Sequence, residues 1–161
     1  MGSITASPSS LLPRSSQAYR AIWWAGLLAG TLDITTALAE AGLQGKGPVH
    51  LFQAIAGGLL GMSSFQGGLA TAALGAFFHF LIATTASAVF YLASRKLKFL
   101  IQHAIPSGLL YGVAVYIFMY YIVLPISAYH TKIARPSMVD VAVHMFMVGL
   151  PISLMVRKFS K

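Results

Sequence analysis

The sequence predicts an all-α membrane protein: a four-transmembrane-helix bundle with a short interfacial or re-entrant segment between helices 1 and 2. Three observations predict it. Of 161 residues, 57% are hydrophobic and 9% charged, against about a quarter charged in an average soluble domain, so there is too little charge to coat a globular surface. The apolar residues gather into four runs, each approaching the ~20 residues needed to cross the hydrocarbon. Finally, eleven Lys/Arg stand against three Asp/Glu, and the cations lie almost wholly between the runs. There, the lipid bilayer rather than nucleic acid is the expected partner.

In chain order, residues 1–19 are rich in serine, carry Pro8 and Pro13 and show no helical period; they are read as a flexible tail, with 20–161 a single transmembrane domain. The first span, about 21–43, opens with Trp23 and Trp24 after Arg20, a pattern that suits the membrane interface. Ala37-Leu38-Ala39 offers a small-residue cleavage site, but the region ahead of the apolar stretch is long and Asp33 interrupts it, so a retained span is preferred over a leader. Leu51 to Phe65 is apolar but too short to span. Opened by Pro48 and loosened by Gly57, Gly58 and Gly61, it is the interfacial or re-entrant segment. The second span, about 68–94, is broken only by His79. The third, about 104–125, is aromatic and β-branched and ends in Tyr120, Tyr121 and Pro125; the fourth, about 138–156, contains Pro151.

Arg14, Arg20, Arg95, Lys96, Lys98, Arg157, Lys158 and Lys161 fall on one side of these four spans; Lys46, Lys132 and Arg135 fall on the other. The positive-inside rule then places both termini in the cytoplasm.

The absence of cysteine excludes disulfides, thiolate metal sites, Fe–S clusters and a cysteine nucleophile. Two of the three acids, Asp33 and Glu40, lie in the first span, two helical turns apart on one face. Gly26 and Gly30 share that face in the G-x-x-x-G spacing that lets helices approach closely. In the second span Gly68, Ala72, Gly75, Ala76, His79, Ala83 and Ala86 recur at helical spacing. Counted from either end, Asp33 and His79 both fall near the bilayer centre, so the two small faces are expected to pack together with Asp33 beside His79. A carboxylate at that depth costs about 2.5–3.5 kcal/mol on insertion scales, which an imidazole neighbour or protonation would reduce.

The fourth span opens with Asp140 and His144, spaced i, i+4 and therefore on one face at its outer end. Glu40 falls at similar depth and His50 and His130 in the outer loops, so a polar cluster there is expected to include Glu40, Asp140, His144 and one loop histidine. His103 stands apart in the cytoplasmic loop. Three readings of these groups stay open: a proton-responsive relay through Asp33, His79, Glu40, Asp140 and His144; a divalent-metal site from Glu40, His50, Asp140 and His144; or polar glue that fixes helix register. Gly108 and Gly112 repeat the G-x-x-x-G spacing in the third span. No G-x-S-x-G elbow occurs, and nothing in the spacing pairs Ser107 or Ser153 with a histidine, so neither an enzyme nor a cofactor is expected.

The run Leu110-Tyr111-Gly112-Val113-Ala114-Val115-Tyr116, closing with Ile122-Val123-Leu124-Pro125, resembles the YagU-like family of uncharacterised bacterial inner-membrane proteins. Asp140 and His144 in the next span, and the opening Ala25-Gly26-Leu27-Leu28-Ala29-Gly30, fit the same resemblance. It implies a helical protein of the bacterial inner membrane with a link to acid resistance. The functional expectation is a pH-responsive membrane protein, in proton-linked transport or acid stress. The alternative is an accessory subunit that packs through its glycine faces against a second copy or a membrane-complex partner.

Overall fold

The computed structural model describes residues 14–129 and 137–160, with side chains from Ser16 onward. Helix α1 runs over Arg14–Leu43, so residues 14–19, expected in the flexible tail, are helical and continuous with the first span. After Pro13 nothing in the sequence breaks a helix, and Arg20 is held over the Phe159 ring at 5.4 Å. The rest of the expected tail, residues 1–13, lies outside the described residues. Helix α2 spans Pro48–Leu60, with proline in its first turn where the missing N–H costs nothing, and continues into a 3-10 segment, Gly61–Gln66. Helix α3 covers Gly68–Lys96, α4 is the single turn Phe99–Gln102, α5 is Ala104–Ile126 and α6 is Met138–Phe159. Four of these, α1 (over Ser16–Leu43), α3, α5 and α6, are long and apolar enough to cross a membrane, and no strand occurs among the described residues. The chain is a multi-pass, all-α membrane protein.

Both α5 and α6 pass through a π-helical segment, Met119–Val123 and His144–Gly149. Each lies just before a proline, Pro125 or Pro151. Proline removes one donor and crowds the carbonyl four residues back, and the wider turn relieves that crowding without breaking the helix.

In packing order the spans run α3, α1, α6, α5, while α2 lies along the first half of α3. Tyr111 joins the two outermost helices: its hydroxyl donates to the Ala86 carbonyl at 2.7 Å, and its ring meets Phe90 at 5.0 Å. Tyr111→Phe should therefore lower stability by about 0.6–1.7 kcal/mol, the range for hydrogen bonds between membrane helices; a denaturant titration in micelles measures it.

The buried core is small-grained. Ala25, Ala29, Phe90, Val148, Ile152 and Val156 form its centre, near the end where Arg20 meets Phe159, here the basic end. Buried Ser87, Ser94 and Ser153 satisfy their hydroxyls on carbonyls three or four residues back in their own helices. Larger apolar side chains such as Phe77, Leu92, Leu110, Ile117 and Phe146 point outward. That inversion suits a lipid solvent, where close backbone approach holds helices together more than burial of large side chains does.

Candidate functional site

The site begins with a glycine. A methyl group on Gly26 would lie 2.7 Å from the Thr84 Cα, and one on Gly30 would lie 2.9 Å from the Phe80 ring. Only residues without a side chain permit α1 and α3 to approach so closely. This approach brings the Gly30 carbonyl within 2.8 Å of His79 Nε2, which donates to it across the interface. On α6, His144 Nδ1 donates to the Asp140 carbonyl at 2.8 Å, and its ring stands edge-on to Tyr116 at 5.3 Å.

These groups line one cavity of about 130 Å³ at the centre of the bundle, with Asp33 from α1, His79 from α3 and His144 from α6. That is room enough for water, one molecule of which needs only about 10–15 Å³ of such space. Val115 and Met119 of α5 and Ile55 of α2 complete the wall. Helix α2 is held by two hydrogen bonds, from Gln53 Nε2 to the Gly68 carbonyl at 3.0 Å and from the Ala128 amide to the Gly58 carbonyl at 2.8 Å. Thus the short segment between the first two spans contributes to the site. Met119 and His144 both line the cavity and both begin π segments, and such wide turns recur at functional sites.

Asp33 and His79 share this cavity, although the hydrogen bond from His79 goes to a backbone carbonyl and not to the carboxylate. Among the described residues the expected outer cluster does not assemble. Glu40 and His50 line a separate pocket of about 280 Å³ with Lys46 and Tyr129, whereas His144 lies in the central cavity and Asp140 meets it through its backbone. Among the described residues no group of three His, Asp or Glu is placed to hold a metal ion; His130 lies outside the described residues. His103 is exposed beside α4.

Stagger explains the misplaced histidine. The beginning of α6 lies opposite the interior of α5, since the Ser137 amide donates to the Tyr116 hydroxyl at 3.3 Å. A methyl on Gly112 would strike the His144 carbonyl, so His144 is level with the middle of α5. Counting residues from the end of its own span cannot reveal that offset.

The remaining packing glycines are all engaged inside the chain. Gly75 faces the Phe52 carbonyl of α2, Gly108 faces Ser153 Oγ of α6, and Gly112 faces His144 and Met145. Gly149, which sequence reasoning passed over, is as crowded: a methyl there would meet the Gly108 carbonyl and the Gly112 amide. Its signal was present as the small-residue pair Gly149 and Ser153, spaced i, i+4. The small face of the second span is itself divided, Gly75 meeting α2 while Ala83 meets α1 at Gly30.

No family model matches this chain, and neither the curated proteins nor the solved structures include a match to it.

Proposed function

We propose that the protein is a proton-responsive component of a bacterial inner membrane, acting in proton-linked transport or acid stress, with Asp33, His79 and His144 as the groups that exchange protons. One observation carries this reading: a cavity in the centre of the bundle collects an acid and two imidazoles from three different helices. Imidazole changes charge near neutral pH, and ionisable groups inside membranes are a functional signal because of their cost there. Polar glue would need only pairwise contacts, whereas a shared cavity has room for the water that relays protons. The accessory-subunit reading rested on free glycine faces, and Gly26, Gly30, Gly75, Gly108 and Gly112 each meet another helix of this chain.

Reconstituted into liposomes with a trapped pH dye, the parent should pass protons faster than empty vesicles, and Asp33→Asn should reduce that excess at least tenfold. A parent indistinguishable from empty vesicles overturns the transport reading. The orientation proposed, both termini cytoplasmic, has an equally direct test because the chain lacks cysteine. Gln44→Cys and Lys98→Cys place a thiol at exposed positions. In intact spheroplasts an impermeant maleimide should label the first and spare the second; the reverse pattern inverts the topology.

A further inference from the structure

Between α3 and α5 runs an apolar cleft of about 460 Å³. Ile82, Ala86, Val115 and Met119 line both this cleft and the central cavity, so the two voids share a wall and adjoin. The cleft separates two of the membrane-spanning helices and therefore opens sideways into the bilayer. Its polar side chains, Thr85 and Tyr111, are already spent: Thr85 Oγ1 donates to the Leu81 carbonyl at 2.7 Å, and the Tyr111 hydroxyl donates to Ala86. Hydrocarbon is the occupant such a surface favours.

The cavity behind the shared wall is also mainly apolar, but it adds Asp33, His79 and His144, and the hydrogen bonds of these groups determine what it can recognise. His79 donates through Nε2 to the Gly30 carbonyl and His144 donates through Nδ1 to the Asp140 carbonyl. A neutral imidazole carries one N–H, so each ring retains its other nitrogen as an acceptor. The Asp33 carboxylate also accepts. A ligand head that satisfies these groups must donate hydrogen bonds; an anionic head would face the Asp33 carboxylate, and a neutral donor avoids the cost of carrying a charge far from the interface. A phospholipid head fails on that count.

We propose that cleft and cavity together form a binding site for a membrane-dissolved lipid with one apolar tail and a neutral, dihydroxylated ring, the chemistry of a quinol. The tail lies in the α3–α5 cleft; the ring passes the shared wall and its hydroxyls donate to the histidines of α3 and α6. Combined, the voids fall within the ~300–1,000 Å³ of ordinary small-molecule sites. The claim concerns binding and requires no proton transport, so it goes beyond the function proposed above.

The test uses the full chain in nanodiscs and a decyl-substituted hydroquinone, kept reduced under anaerobic conditions, with a photoreactive diazirine in its tail. Saturable labelling should map to α3 peptides around residues 81–89 and α5 peptides around 111–123. Ala114→Trp and Val89→Trp, both at exposed positions in the cleft wall, should weaken labelling at least tenfold; two variants guard against one that fails to fold. His144→Phe should also weaken it tenfold, while decylbenzene, with the tail and ring but no hydroxyls, should compete at least tenfold less well. Competition by decylbenzene or decylamine equal to that of the hydroquinone overturns the proposed head chemistry. Labelling that persists in both tryptophan variants, or maps elsewhere, overturns the site. Proton uptake measured with no added quinol tests the earlier reading independently, so either result can fail alone.

Discussion

Gly149→Val should collapse the α5–α6 half of the bundle. The β-carbon alone would meet the Gly108 carbonyl, the Gly112 amide and, at 2.6 Å, the Gly112 Cα. These are backbone atoms of a helix and cannot swing aside as a side-chain tip can, so the helices must separate. Overpacking in ordinary cores costs about 1–3 kcal/mol. A backbone-to-backbone clash belongs at or above the top of that range, about 3 kcal/mol or more, and would carry Gly112, His144 and the cavity with it. Gly112→Val should behave similarly. Gly42→Ala is the control: it sits in α1 with open space around it and should change stability by no more than about 1 kcal/mol, in the stabilising direction expected for alanine in a helix. Denaturant titration followed by circular dichroism measures all three, and a Gly149→Val protein as stable as the parent would refute the close packing of α5 on α6.

His79 has two duties that one pair of substitutions separates. Its Nε2–H joins α3 to the Gly30 carbonyl, and its ring is one of the groups proposed to exchange protons. His79→Gln retains a side-chain N–H donor but cannot titrate; His79→Leu loses both. Glutamine should hold stability within about 0.5 kcal/mol of the parent, whereas leucine should lose about 0.6–1.7 kcal/mol. Both should reduce proton uptake at least tenfold. His144→Gln should likewise reduce uptake, and the double variant with His79→Gln should be no worse than either single one, since residues that act as a unit are strongly non-additive. Full uptake in His79→Gln would return that histidine to the role of polar glue.

Several particulars were readable before any coordinates. The four spans follow from runs of apolar residues, and the closeness of α1 to α3 follows from Gly26 and Gly30 beside a matching small face. Pro125 was read as the end of the third span and Pro151 as lying inside the fourth, while the π segment ahead of each was not readable. The segment from Leu51 to Phe65 was recognised as too short to span, while the contribution of Ile55 to the central cavity was not readable. Partner and depth were the missing information. The chain's own spacing gives neither, as the grouping of His144 with Asp33 and His79 instead of Glu40 demonstrates.

What the sequence by itself determined is the solvent and the count of crossings, because the free energy of moving a segment into hydrocarbon is a sum over that segment alone. What only the tertiary structure decided is which ionisable groups meet. That depends on the rotation and stagger of helices set by backbone contacts among residues far apart in the chain: Gly30 against Phe80, Gly75 against Phe52, Gly149 against Gly112. A shift of one helical turn in any of them, about 5.4 Å, would take an imidazole out of the cavity while leaving every span as apolar as before.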